Sequence, residues 1–142
     1  MAVVLTDIDL ERPGPTILYT NPAFERMSGY RAEEVCGNSP RMLQGPATNR
    51  QLTRLVARRL HAERRFHGVL ENYRKSGECY LCEVDVRPIL GRNDEPLGFI
   101  AFEREVVRRR GRPVQGVGGR YQPVGGECFA VGPVWATPAP FC

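Results

Sequence analysis

The residues whose chemistry most needs a place in this chain are its thiols, its two histidines and one carboxylate inside an apolar strand. Cys36, Cys79, Cys82, Cys128 and Cys142 are odd in number and irregularly spaced. Cys79 and Cys82 make a CxxC, but within a strand pattern residues three apart point to opposite faces, so the two do not readily share a metal. No second pair or histidine cluster stands near them, and they read as reduced thiols of a cytosolic protein. His61 and His67 fall at a helix end and a strand start, off any cavity wall, where a solvated imidazole is the ordinary state. In "LGFIAFEREV", alternation puts Glu103 on the face of Leu97, Phe99 and Ala101. If that face is the inner one, a carboxylate enters an apolar interior, which is costly unless it is paired or protonated. It either meets Gln44, Asn72 or a ligand there, or leans to the rim toward an arginine. No Ser/His/Asp set, metal cluster or phosphate loop is present. Neither an enzyme nor a metal site is expected.

Short elements must position these groups. "AVVLTDID" and "TILYT" read as two strands separated by the turn "RPGP". In "NPAFERMSGY", Asn21 is a good N-cap, Pro22 suits the first helical position and Gly29 is a natural stop. "RAEEVCG" gives another helical turn or two, closed by Gly37. Thr48 followed by Gln51 reads as a capping box for the longest helix, over about 49–62. There Leu52, Leu55, Val56 and Leu60 share one face, and Arg50, Arg54 and Arg58 another. "FHGVLENYRK" and "CYLCEVDVRPI" flank "SGE", a hairpin with Gly77 in its turn. In the second strand Tyr80, Cys82, Val84 and Val86 face one way; Leu81, Glu83, Asp85 and Arg87 face the other. After "GRNDEP" comes the last strand. The order predicts an α+β domain, an antiparallel sheet with helices on one side. From Gly111 onward glycine and proline dominate without periodicity, which predicts a disordered tail. The division is therefore a folded domain over 1–106, with a basic linker and low-complexity tail over 107–142.

Composition narrows the function further. The net charge is +4, and every basic residue except Lys75 is arginine. The aromatics do not interleave with these arginines and no DNA-reading motif appears, so nucleic acid is not an expected partner. No long apolar run or basic-then-apolar N-terminus is present, and the chain reads as cytoplasmic, with no membrane contact.

The fragments "YTNPAF", "MSGY", "PRMLQGP" and "NYRKSG", in that order and spacing over roughly 2–106, resemble the PAS sensory domains. Among these the chain is most similar to the light-oxygen-voltage (LOV) branch. The resemblance implies a five-stranded antiparallel sheet, a cavity between its inner face and short helices, and a regulatory role. It also implies an output kinase, cyclase or transcription regulator in cis or in trans, of the two-component or cyclic-di-GMP kind. The branch's signature GxNCRFLQ here reads Gly37-Asn38-Ser39-Pro40-Arg41-Met42-Leu43-Gln44. Pro40 holds the position of the photoreactive cysteine and offers no nucleophile, so no thiol adduct is expected. The resemblance makes FMN or FAD the candidate cofactor. It gives Arg41 the phosphate, Gln44 a place beside the ring and Asn72 the ring's polar edge. Ser39 and Cys82 stand where the family has asparagines, Glu103 where it has glutamine, and Ala57 near its second phosphate arginine. Each match has a structural alternative: Arg41 bracing the loop, Gln44 bonding backbone, Asn72 satisfying a strand carbonyl. On the opposite sheet face, Leu81, Ile100 and Phe102 should expose apolar area that a second copy would cover, giving a homodimer.

Overall fold

A computed structural model of the chain describes residues 1–109 and 120–124. Its elements are β1 (Ala2–Thr6), β2 (Ile17–Thr20), α1 (Pro22–Ser28), α2 (Ala32–Val35), a single 3-10 turn at Pro40–Leu43, α3 (Arg50–Glu63), β3 (Phe66–Tyr73), β4 (Cys79–Leu90), β5 (Pro96–Arg108) and β6 (Tyr121–Pro123). All strand pairs are antiparallel, in the order β2-β1-β5-β4-β3, and β6 joins β5. The expected α+β sheet with helices on one face is what the chain forms.

Local signals explain most of these elements. Asn21 caps α1 by accepting from Phe24 N at 3.0 Å, and Gly29 ends the helix at φ 78°, a left-handed position open to glycine. Asn21 does more than cap. Its Oδ1 also accepts from Val3 N at 2.9 Å and its Nδ2 donates to Met1 O at 2.9 Å, which ties α1 to β1. Asn21→Ala should therefore reach the upper end of cap losses, about 2 kcal/mol, in urea denaturation. A loss of only a few tenths would show that the stitch to β1 carries nothing.

The inner face of the sheet carries the core. Val4, Tyr80, Cys82, Val84 and Ala101 pack against Phe24, Val35 and Leu43 from the helical layer, and a second cluster joins Leu60, Phe66 and Phe99 under α3. The alternation expected in β4 is the one observed. Gly45 is fixed by close approach, because a Cβ there would lie 2.4 Å from the Tyr73 ring. Tyr73 also accepts from Ala47 N through its hydroxyl at 2.8 Å.

Three expectations need correction. Asn49, not Thr48, caps α3, since its side chain accepts from Gln51 N and Leu52 N at 2.9 and 3.2 Å. The Thr48 hydroxyl is drawn instead to Glu71 O at 2.7 Å, locking the loop to β3. The second correction concerns the tail. β1 begins opposite Glu103 at Ala2, which leaves the end of β5 without a neighbour on that side, and β6 fills it through Val106↔Pro123 and Arg108↔Tyr121. Unpaired strand edges favour such additions. The rest of the expected tail lies outside the described residues. Third, Phe102 does not expose apolar area: it is only 2 % exposed. Its strand neighbours are Val3 and Asp85, and the Arg87 guanidinium lies 5.6 Å from the ring centroid.

That outer face is ionic rather than greasy. Arg87 donates to Asp85 Oδ2 at 2.7 and 3.2 Å, and Arg104 spans both oxygens of Glu83 at 3.1 and 3.2 Å. His67 stands 3.5 Å from Glu83. Leu81 and Ile100 are half-buried, so of the three apolar groups assigned to a dimer patch none is fully open.

Candidate functional site

Between the inner sheet face and the helical layer lies a cavity of about 140 Å³. Its walls are mostly apolar, with Val84 and Ala101 on the sheet side, Val56 and Leu60 from α3, and Phe66 and Phe99 at one end. Into this wall the fold inserts Ser39, Arg41, Gln44, Asn72 and Glu103. Five of the six residues singled out from sequence are thus brought to one site. The sixth, Cys82, is corrected: it is fully buried behind the wall, with its Sγ 3.8 Å from Glu103 Oε2. Being one strand over from Glu103, it packs against the carboxyl rather than the cavity. The expectation for His61 holds in part: it is exposed, as expected, but α3 runs to Glu63 and its last turn puts the ring at the cavity wall. His67 faces outward as expected.

The polar residues arrive from separate elements. Ser39 and Arg41 come from the 3-10 turn, where Ser39 Oγ accepts from Arg41 N at 3.2 Å and so fixes the turn itself. Ser39 is therefore spent on capping. Arg41 Nε donates to Gly14 O at 3.3 Å, which aims the guanidinium while leaving its two terminal nitrogens for other partners. Gln44 follows directly after the turn. Asn72 on β3 is 5 % exposed and pairs across the ladder with Tyr80. Burial pushes the Tyr80 phenol well above its usual pKa, with Cys82 and Glu103 adding to the rise and the Arg74 charge offsetting part of it. At hydrogen-bonding geometry the Tyr80 hydroxyl has no partner among the described residues. No bond of the Asn72 amide to a strand carbonyl is present there either.

Glu103 is the electrostatic centre of the site. It is 6 % exposed, and burial raises its carboxyl to about 7, with the Cys82 thiol offsetting a little. The same burial, with Glu103 beside it, pushes the Cys82 thiol up, so the thiol stays neutral. Of the two readings open for Glu103, the inner one is realised. Near neutral pH it can donate a hydrogen bond as an acid or accept as a carboxylate.

At the end of β5 beyond Glu103, Arg74 joins three elements. It donates to Glu105 at 2.6 Å, to Glu78 at 2.9 Å and to Met27 O at 2.5 Å, and it covers the Tyr80 ring at 4.3 Å. The network binds the hairpin turn, α1 and β5 together near the cavity. Sequence reading missed it because two of its three hydrogen-bonding partners are 31 and 47 residues away.

Among the described residues, no three His, Cys, Asp or Glu side chains gather to hold a metal. Pro40 begins the 3-10 turn and lines the cavity where the signature would put its cysteine. Cys36 closes α2 and Cys79 is exposed, so neither reaches the wall.

An antiparallel sheet of five strands extended by β6, with short helices on one face and a lined cavity between them, defines the class, and the chain belongs to the PAS fold family, whose profile matches residues 14–106. Its relatives place it in the LOV-like branch. It is 31% identical over 103 residues to a blue-light-activated histidine kinase of Brucella anthropi, covering 72% of this chain and 21% of that protein. It is 31% identical over 105 residues to the bacterioopsin transcriptional activator of Halobacterium salinarum, covering 74% of this chain and 16% of that one. The chain thus spans about a fifth of these curated relatives. In solved structures it is similar to a light-oxygen-voltage domain studied with a flavin analogue, with TM-score 0.68, 25% identity and coverage of 75% and 77% of the two chains. The LOV domain of an Erythrobacter litoralis blue-light-activated histidine kinase has the same fold, with TM-score 0.66, 24% identity and 73% and 94% coverage. No described helix is long and apolar enough to cross a membrane.

Proposed function

We propose that this PAS domain is a sensory module that holds a flavin-class ligand without forming a thiol bond to it, and passes its state to a kinase or transcription-regulator output in cis or in trans. The observation that carries this reading is the convergence of Arg41, Gln44, Asn72 and Glu103 on one apolar cavity. Apolar walls suit a planar ring and the few polar groups fix its orientation; at about 140 Å³ the cavity has to open further to take a three-ring flavin. Asn72 and Glu103 would hold the ring's polar edge, Gln44 its flank and Arg41 the phosphate. A bound flavin would supply light absorption and redox chemistry; the chain's own residues bind, orient and shield it. Histidine-kinase and transcriptional-activator relatives support an output of that kind.

Fluorescence quenching on titration with FMN tests the reading, and saturable one-to-one binding is expected. Illumination of the loaded protein should leave its mass unchanged on denaturation and its blue absorption free of thiol-adduct bleaching. Quenching no greater than that by an unrelated protein would overturn the flavin assignment, and a light-dependent bond to any cysteine the non-photochemical one.

Homodimerisation remains part of the proposal with a smaller apolar contribution than alternation suggested, since Phe102 is buried. Ile100→Asp should raise the dimer dissociation constant about tenfold, the equivalent of one half-buried aliphatic side chain. An unchanged constant in sedimentation would place any dimer contact elsewhere.

A further inference from the structure

More than the whole net charge of the chain sits on one helix. From Arg50 to Arg65, α3 and the two residues after it carry six arginines against a single acid, Glu63, a balance of +5 beside +4 for the full sequence. Arg59 reaches Glu63 at 4.0 Å and Arg65 reaches Asp85 at 3.9 Å. Arg50, Arg54, Arg58 and Arg64 are exposed, and none has a carboxylate within ion-pair distance among the described residues.

Arg50, Arg54 and Arg58 recur every four residues, so they form one row with steps of about 6 Å along the axis. Like charges four apart on a helix repel, and Arg50 stands at the positive end of α3, whose first turn has no acidic residue. Both terms weaken the helix alone and reverse sign when a row of carboxylates lies against it. Between Arg54 and Arg58 the surface dips over Ala57, with Gln51 beside it, which leaves room for an incoming side chain. Ala57 also lines the cavity on its other side. A partner seated in the dip is one side chain away from whatever the cavity holds.

We infer that this face of α3 docks an acidic helix of another protein, one with glutamates or aspartates at four-residue spacing. Such a helix repeats its carboxylates at the same step of about 6 Å, and each can meet a guanidinium fork. Other polyanions match the face less well. No exposed residue of α3 is a large apolar side chain that would enter a lipid interface, and none is a Phe, Tyr or Trp that would stack on bases. The phosphates of a duplex have no side chain to place in the dip. A second copy of the chain lacks the row, because α1 and α2, which carry Glu25, Glu33 and Glu34, are only seven and four residues long. Docking of this kind supplies an output contact for the proposed sensory role, and it does not depend on which ligand fills the cavity.

Fluorescence anisotropy of a labelled alanine-rich helical peptide with glutamate at every fourth position, titrated with the full chain at low ionic strength, tests this. Saturable binding is expected. It should be about tenfold weaker in Arg54→Glu/Arg58→Glu, which exchanges two attractive contacts for two repulsive ones. Arg26→Glu/Arg92→Glu makes the same change of net charge at exposed sites on α1 and the β4–β5 turn, and should leave the affinity within twofold. A peptide of the same composition with its glutamates spread round the helix should bind several-fold more weakly. Equal losses in the two double variants, or equal affinity for the two peptides, would mean attraction by net charge alone and overturn the docking face. Absence of saturable binding would overturn it too, while leaving the FMN titration to judge the cavity separately. Duplex DNA that binds more tightly than the peptide, and loses that affinity in Arg54→Glu/Arg58→Glu, would assign the row to nucleic acid and overturn the acidic-helix partner.

Discussion

Glu103→Gln should stabilise the domain at pH 8 by about 3 kcal/mol while changing little at pH 4.5, as read from urea denaturation at the two pH values. The carboxyl titrates near 7 in the folded chain against an ordinary 4.5, chiefly because it is buried. Below 4.5 it is protonated in both the folded and unfolded states and contributes no pH dependence. Between 4.5 and 7 the unfolded chain ionises while the folded chain does not, so stability falls by about 1.4 kcal/mol per pH unit. Above 7 both states are charged and the deficit stays constant at about 3 kcal/mol. Glutamine has the shape without the charge and removes the deficit. The groups around the carboxyl do not reproduce this profile. Cys82 stays neutral, and Arg74 and Glu105 neutralise each other at 2.6 Å. Parallel stability curves for parent and variant would show that Glu103 is not desolvated. The same substitution should tighten FMN binding at pH 8, because a carboxylate facing the ring's acceptor atoms repels them and an amide can donate.

Much of the site was legible because strand alternation is a strict geometric rule. Reading "LGFIAFEREV" with a period of two places Glu103 beside Phe99 and Ala101, and the structure has it there, buried. Capping chemistry around Asn21, Pro22 and Gly29 was equally readable, since each residue acts on atoms within one turn. What stayed hidden depends on distant partners. Thr48 and Asn49 are both competent caps; Glu71 O, 23 residues away from Thr48, settles which one serves. Alternation gave the face of Phe102 but not its exposure, which depends on what lies over that face, the Arg87 guanidinium 5.6 Å from the ring included. His61 is exposed as its sequence position suggests, but its place at the cavity wall was hidden, because a helix face is defined only by what it packs on.

Arg41 carries the other large expected effect, and its two roles can be separated. Arg41→Ala should weaken FMN binding by about 10- to 150-fold, the equivalent of the 1.5–3 kcal/mol of a hydrogen bond to a charged group. The guanidinium is suited to the task because its Nε is committed to Gly14 O at 3.3 Å, which leaves the terminal nitrogens on the cavity side. That bond also means the substitution could act by loosening the β1–β2 loop. Riboflavin has the same ring without the phosphate, so it reports the second effect alone. If Arg41 holds phosphate, riboflavin affinity should remain within about twofold of the parent while FMN affinity collapses toward it. Equal losses for both ligands would make Arg41 a brace of the loop, with no phosphate at its terminal nitrogens. Raising ionic strength gives an independent check, because a partly exposed guanidinium–phosphate pair is screened by salt and ring burial is not. In the parent, FMN affinity should fall with salt while riboflavin affinity does not, and Arg41→Ala should flatten the FMN dependence.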